Sequence, residues 1–346
     1  MKLGIVLRTT GPTPRLDLDF VLEAERLGFD SAWTSEAWGG DAVTTVSWLL
    51  ARTTKIKGGT GIMQMQARTP ACAAMTAMSL QALSGGRFLL GIGPSGPQVI
   101  EGWHGVAYGK PLARTKEYVS IIRQIFAREK PLEHKGEHYQ IPYTGPGATG
   151  LGKPLKTIIH PSPNLKIYTA SIAPAGLRTA AEVADGVLPF LMSPEQADAI
   201  VAPVREGLAA AAAPKALADF DIAPYVRVRM GDDVAACRDE LRPELALYIG
   251  GMGARSKNFH TDLVRRMGYE DAATRIQDLF LGGKKQEAAA AVPDALIDQC
   301  SLVGPPARIK GRLAAWKDLA RENKVGSLLL AGATEESARV VAEAVL

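Results

Sequence analysis

The residue types able to do chemistry in this 346-residue chain gather where short apolar runs stop. Gly85-Gly86-Arg87-Phe88-Leu89-Leu90-Gly91-Ile92-Gly93-Pro94-Ser95-Gly96 is an apolar run ending in Gly-x-Gly-x-x-Gly. Glycine lets a ligand or a second backbone come close with no Cβ in the way, so Pro94, Ser95 and Gly96 read as a lip beside something large and flat. Gly58-Gly59-Thr60-Gly61-Ile62-Met63-Gln64 ends another run with similar glycine density. It has two readings: a strained turn with a non-proline cis bond, or a β-bulge with no chemistry. Thr34-Ser35-Glu36-Ala37-Trp38 puts a carboxylate after a third run. Glu36 there suits an acid, a base or a hydrogen-bond partner for a cofactor ring, and a solvated loop glutamate beside a core Trp is the plain alternative. His104, in Glu101-Gly102-Trp103-His104-Gly105, is a candidate proton donor against a structural histidine. Finally, Ser171, Ile172, Gly176, Leu177 and Arg178 span a strand end and a helix start. Unpaired N–H groups and Arg178 would make an anion site there, and simple capping by Ser171 is the alternative.

Other chemistries are disfavoured. A dinucleotide fingerprint belongs to the first strand–helix turn, with an acidic residue about twenty positions on; here the glycines follow a fourth strand and Pro94 interrupts them. The histidines at 104, 134, 138, 160 and 260 make no metal-ligand spacing with Cys, Asp or one another, so no metal is expected. Neither a Gly-x-Ser-x-Gly elbow nor a Walker loop is present. The net charge of +4 is interspersed rather than clustered, which argues against nucleic acid. Cys72, Cys237 and Cys300 are distant and odd in number, as suits a reducing cytoplasm. No apolar run approaches a membrane span, so a soluble cytoplasmic protein with no membrane partner is expected.

These groups need a scaffold that brings strand ends together. Strand patterns at 3–7, 31–34, 56–62, 88–92, 165–170, 186–191, 222–230 and 325–330 alternate with helical patterns. Among the helices are 16–27, 43–52, 70–83, 113–128, 174–184, 194–213 (kinked at Pro203), 234–248 and 335–346. A hairpin is predicted within 132–141, and insertions at about 131–164 and 251–297 interrupt the alternation; the second carries Lys257-Asn258-Phe259-His260. Eight strands with crossover helices and no linker predict one domain over 1–346, a (β/α)8 TIM barrel, with a doubly wound sheet as runner-up. In a barrel the candidate groups share the loops after the strands.

Together the segments resemble the bacterial luciferase-like superfamily, within it the branch that uses the deazaflavin coenzyme F420. The matching residues are Lys2-Leu3-Gly4-Ile5, Leu22-x-Ala24-Glu25-x-x-Gly28-Phe29-Asp30-Ser31-Ala32-Trp33, Gly59-Thr60-Gly61-Ile62 and Ala184-Asp185-Gly186. The most diagnostic run is Gly86-Arg87-Phe88-x-Leu90-Gly91-x-Gly93-x-Ser95-Gly96-Pro97-Gln98-Val99-x-Glu101-Gly102-Trp103-His104-Gly105, with Tyr108-Gly109-Lys110-Pro111 after it. The resemblance implies a (β/α)8 barrel with the deazaflavin across its mouth and a cis peptide at Gly61-Ile62. It implies cofactor contacts from Gly61, Ile62, Met63 and Gln64, from Pro94, Ser95 and Gly96, and phosphate contacts from Ser171, Ile172, Gly176, Leu177 and Arg178. Glu36 falls where relatives carry an acidic residue near the ring, and Ala37 stands where some carry a catalytic histidine; Glu36 and His104 are then the candidate catalytic groups. The implied activity is hydride transfer between deazaflavin and a small organic substrate, with Trp38, Met63 and Phe190 as candidate apolar walls. The alternative is an FMN-dependent monooxygenase using reduced flavin and O2. Relatives dimerise through barrel helices, so the implied protein partner is a second copy.

Overall fold

The computed structural model describes residues 1–7, 12–160 and 165–346. Its strands are β1 (Lys2–Val6), β2 (Ser31–Thr34), β3 (Lys57–Thr60), β4 (Met63–Gln64), β5 (Phe88–Gly93), β6 (His134–Lys135), β7 (Gln140–Ile141), β8 (Lys166–Ala170), β9 (Gly186–Leu188), β10 (Asp221–Ile222), β11 (Tyr225–Met230), β12 (Ser301–Gly304) and β13 (Ser327–Ala331). All but β6 and β7 belong to one curled parallel sheet in the order β10-β9-β8-β5-β3-β2-β1-β13-β11-β12, with β4 on β5. Leu3 pairs with Leu328, Ala32 with Gly58 and Leu90 with Ile167. Because every pairing in this sheet is parallel, the C-terminal ends of the strands share one edge. The loops that carry most of the candidate groups leave the sheet there.

Helices cover the sheet: α1 (Leu18–Arg26), α2 (Ala42–Arg52), α3 (Pro70–Leu83), α4 (Pro97–Gly102), α5 (Pro111–Ala127), α6 (Pro174–Val183), α7 (Asp198–Ala210), α8 (Val234–Asp239), α9 (Arg242–Ala246), α10 (Phe259–Arg266), α11 (Glu270–Leu281), α12 (Lys285–Ala290), α13 (Asp294–Cys300), α14 (Pro306–Arg321) and α15 (Glu335–Val345). Their starts are written locally. Asp17, Asp41 and Thr69 accept from Phe20, Thr44 and Cys72 N–H groups, and Pro70 occupies the first turn of α3, where a missing N–H costs nothing.

The matched segments before β3 and β5 turn out to be a clamp. Glu25 accepts from the backbone N–H groups of Thr54, Lys55 and Ile56 at 3.0, 2.7 and 2.8 Å. From the other side, Arg87 donates to the carbonyls of Leu50, Thr53, Ile56 and Ser84 and to the Thr53 hydroxyl, all within 3.0 Å. The two side chains satisfy the orphan carbonyls at the end of α2 and the N–H groups of the turn into β3.

One apolar core lies between the sheet and its helices, from Leu3 and Ile5 through Leu90, Ile167 and Val226 to Leu328. A small cluster of Trp33, Leu89, Tyr168, Leu188, Ala223 and Leu329 fills the inside of the curl. Bare backbone makes room for it: a Cβ on Gly59 would lie 2.5 Å from the Trp33 ring, and one on Gly91 1.8 Å from the Thr60 carbonyl oxygen. A third cluster is built by α8–α13, including Leu241, Ile249, Val264, Ile276 and Leu296.

Several elements differ from expectation. The region 251–297, expected only as an insertion, is helical: α10, α11, α12 and much of α13 fall in it. The helix expected at 234–248 is two short ones, with Pro243 in the first turn of the second, followed by a π-helical turn at Leu247–Gly251. The strand at 222–230 is interrupted at Ala223-Pro224, where proline has no N–H for the ladder. The 194–213 helix starts at Asp198 and runs through Pro203 without ending. Strand β12, a four-residue run before Pro305-Pro306, was not anticipated. The hairpin within 132–141 is present as β6 and β7. Among the described residues no helix is long and apolar enough to cross a membrane, and no three His, Cys, Asp or Glu are grouped to hold a metal.

Candidate functional site

Three groups of residues meet at the C-terminal edge. The first is the glycine lip. The Gly61–Ile62 bond is cis, and the Tyr225 hydroxyl donates to the Gly61 carbonyl at 2.8 Å. Gly61 must lack a side chain, since a Cβ would lie 1.9 Å from that hydroxyl. Beside it a Cβ on Gly93 would lie 2.6 Å from Cδ1 of Ile62. Ile62 is half-buried against the cluster inside the curl, so an apolar side chain and naked backbone form one shelf. Ser95, at φ 56°, carries the lip past β5, with Pro94 and Gly96 half-buried on either side.

Side chains lock this shelf from behind. The Gln64 amide donates to the Ser95 hydroxyl at 3.1 Å, and its oxygen lies 2.6 Å from His104 Nε2. With Gln64 oriented that way, His104 carries its proton on Nε2 and donates it. Glu36 is only 8% exposed and accepts from Arg68 Nη1 (2.6 Å) and Nη2 (3.3 Å) and from the backbone N–H groups of Gln64 (2.8 Å) and Ala42 (3.1 Å). Four donors fill the acceptor capacity of a carboxylate. Arg68 also pairs with Asp41, and both carboxylates hold its guanidinium above its ordinary range even though burial opposes this. Met63 is fully buried in the core between sheet and helices, so only its backbone faces the shelf. Trp38 is 57% exposed and does not close a wall.

The second group is the start of α6. Gly176 packs under Ser171, and a Cβ there would lie 2.0 Å from the Ser171 hydroxyl oxygen. Ser171 does not cap the helix; the Ala173 position makes no side-chain cap at all. The first-turn N–H groups of this ten-residue helix therefore point at the edge beside a serine hydroxyl, a setting that attracts an anion. Ile172 is half-buried there, and Leu177 is fully buried in the main core. Arg178 instead faces away and pairs with Glu206 at 2.9 Å. The cation brought to this turn is Arg266 of α10, whose Nη2 donates to the Ile172 carbonyl at 3.3 Å.

The third group lies under the helices of the third cluster. Arg227 is 3% exposed, stands 4.4 Å over the Phe190 ring and pairs with Glu244 at 2.9 Å. Phe190, Tyr248 and His260 pack against one another with ring centroids 4.4–5.3 Å apart. Asn258 fixes this: its amide donates to the Ile249 carbonyl at 2.9 Å while its oxygen accepts from the N–H of His260. Phe190 precedes Leu191, which adopts φ 55°. Burial, with Arg227 adding, pushes the His260 imidazole down to about 4.

Reading the residues alone singled out the lip, Glu36, His104 and the α6 start, and the resemblance added Phe190, but neither marked Arg68, Tyr225, Arg227, Tyr248 or Arg266. One signal was available: Tyr225-Val226-Arg227-Val228 alternates as a strand does, and Arg227 falls on the same face as Tyr225. Nothing local marks Arg68, whose role depends on two distant carboxylates.

Comparison with known proteins bears on the family and the fold. The family model described as luciferase-like monooxygenase matches residues 1–323. A Mycobacterium tuberculosis protein named "putative coenzyme F420-dependent oxidoreductase" is 44% identical over 319 residues, 92% of each chain. The coenzyme F420 dependent tetrahydromethanopterin reductase of Methanopyrus kandleri superposes with a TM-score of 0.78 at 20% identity, over 99% of this chain and 98% of that one. An F420-dependent secondary alcohol dehydrogenase, solved with an F420-acetone adduct, superposes at 0.76 and 16% identity with the same coverage.

Proposed function

This chain belongs to the luciferase-like monooxygenase family, a family of oxidoreductases, and on that premise we propose that it is a coenzyme F420-dependent oxidoreductase acting on a small organic molecule. The observation that carries the reading is the shelf of Gly61, Ile62 and Gly93, packed so closely by Tyr225 and Ile62 that neither glycine could carry a Cβ; a flat ring would meet backbone and one apolar side chain there. When bound, the deazaflavin supplies a hydride-carrying ring carbon and little reactivity with oxygen. The same reading takes the curled sheet as a (β/α)8 barrel, closed where residues 221–230 pair on one side with β9 and on the other with β13.

Within it the chain's own residues have distinct tasks. Gly61, Ile62, Met63 and Gln64, with Pro94, Ser95 and Gly96, would hold the ring and its side chain. Ser171, Ile172, Gly176 and Leu177 would present the α6 N–H groups to the phosphate, with charge supplied by Arg266 rather than Arg178. His104 and Gln64 keep Ser95 in place, and His104's Nε2 hydrogen is engaged in doing so. Glu36 acts as a positioning residue, holding Gln64 and Arg68 together. A second copy of the chain is the proposed protein partner, through α3. The helices α8–α13 shut water from the substrate side, where electrostatics and exclusion matter most.

Production in a host that makes both deazaflavin and FMN, followed by mass and visible spectroscopy of the bound coenzyme, tests this. Deazaflavin should co-purify, and anaerobic mixing of its reduced form with a substrate panel should bleach or restore its absorbance. Bound FMN with oxygen-dependent turnover would replace this reading with the monooxygenase one.

A further inference from the structure

Among the buried atoms near the α8–α13 helices that lack partners, two sit beside one aromatic cluster: Nε of Arg227 and Nδ1 of His260. A buried polar atom left unpaired costs about 1–3 kcal/mol, so two beside one aromatic cluster mark a place where something else supplies the partner. Their surroundings define that something. The Arg227 charge is already answered by Glu244 through Nη2, so the pair offers no net charge to an anion. The imidazole is neutral at ordinary pH, because burial and Arg227 oppose its protonation. What remains is a donor edge on Arg227, a neutral ring nitrogen, and the aromatic wall of Phe190 and Tyr248.

The position is set by rigid elements. Arg227 lies two residues beyond Tyr225, whose hydroxyl holds Gly61 of the shelf. Phe190 bridges to Tyr225 across the sheet. The π-helical turn of Leu247–Gly251 delivers Tyr248, and such turns recur at functional sites. Asn258 and Thr261 tie that turn to α10 through the Ile249 carbonyl.

We propose that Arg227 and His260 form the substrate-recognition subsite of this enzyme and that it selects an uncharged, planar carbonyl compound, such as a conjugated ketone, rather than a carboxylate or a phosphate ester. The carbonyl oxygen accepts from Arg227 Nε–H and, with the neutral imidazole in its Nδ1–H tautomer, from His260, while the apolar body lies on Phe190 and Tyr248. A full anion would have to displace Glu244. The inference rests on the deazaflavin reading for its place in turnover, but its binding chemistry stands in the cofactor-free protein.

Calorimetric titration of the cofactor-free protein tests it with three probes of similar shape: cyclohex-2-enone, 1-methylcyclohexene and cyclohex-1-ene-carboxylate. Cyclohex-2-enone should bind about tenfold more tightly than either of the others, and Arg227→Met and His260→Phe should each abolish that preference. Arg227→Lys, which keeps charge but lacks the planar fork, should restore part of it. Should Arg227→Met fail to fold as judged by circular dichroism, His260→Phe alone decides. The proposal is overturned if the wild type shows no preference, prefers the carboxylate, or keeps its preference in the folded variants. A separate fluorescence titration with deazaflavin keeps the two readings apart. Failure of the wild type to bind deazaflavin would remove the cofactor while leaving the ketone result standing, and deazaflavin binding without ketone preference would remove only the subsite.

Discussion

Glu36 shows how far a residue's task depends on its partners. A carboxylate at a strand end invites an acid–base role, yet its oxygens are taken by Arg68 and two backbone N–H groups. Glu36→Gln keeps the shape but puts an NH2 where donors already stand. It should lower thermal stability by about 2 kcal/mol, the scale of a lost charge-assisted bond with a donor left unpaired. It should also lower kcat while the pH profile of kcat keeps its shape. Disappearance of one limb of that profile in the variant would show Glu36 to be the titrating group instead. His260 carries a second prediction at this scale. Its pKa falls from 6.5 unfolded to about 4 folded, so protonation favours the unfolded chain. Stability is full above pH 6.5 and is lost progressively as pH falls from 6.5 towards 4. Arg227 is the cation that opposes protonation, while Glu244 and Tyr248 are the other ionisable groups facing it. His260→Phe should flatten the decline of melting temperature across that window, and an unchanged decline would assign it to other groups.

At the scale of elements, the Glu25–Arg87 clamp explains why so much of the recognisable sequence lies away from the site. Arg87→Ala would strand four carbonyls and a hydroxyl around 50–56 and 84. A loss of about 3 kcal/mol is expected by denaturant unfolding, with deazaflavin affinity retained in the folded fraction. A loss below about 0.5 kcal/mol would mean that water replaces the guanidinium there. Elements with a strong period or a stop residue were legible: β1, β2, β3 and β5, the helices α1, α2 and α3, and the hairpin of β6 and β7. Those set by tertiary packing were not. The helices α10–α13 begin beside Asn258, Tyr269, Lys284 and Pro293, four dissimilar signals with no shared start motif. The candidate site divides the same way: glycines announce the shelf because backbone needs are local, whereas Arg227 and Tyr248 meet only after long excursions of chain.

For the whole molecule, the helix layer is uneven. From Pro70 to Leu83, α3 has no charged residue, yet Met75 is 60% and Leu83 85% exposed. An apolar face of this kind on a water-facing helix calls for a cover, and the proposed one is a second copy. Sedimentation should give a dimer that Met75→Glu converts to monomer, and a monomeric wild type at micromolar concentration would end that expectation. The other unevenness is vertical. The shelf stands on the cluster inside the curl, while the aromatic wall belongs to helices with an apolar core of their own, joined to the sheet through Val303 of β12 and through Phe190, Leu191 and Ile172. On the proposed reading, coenzyme floor and substrate wall thus rest on separate clusters that meet at Tyr225, and changes in the helices that spare Phe190 and Arg227 leave the floor in place. On that reading such a chain can drift towards new substrates in small inherited steps taken in the upper helices, each one surviving because the floor that would hold the coenzyme was never asked to change.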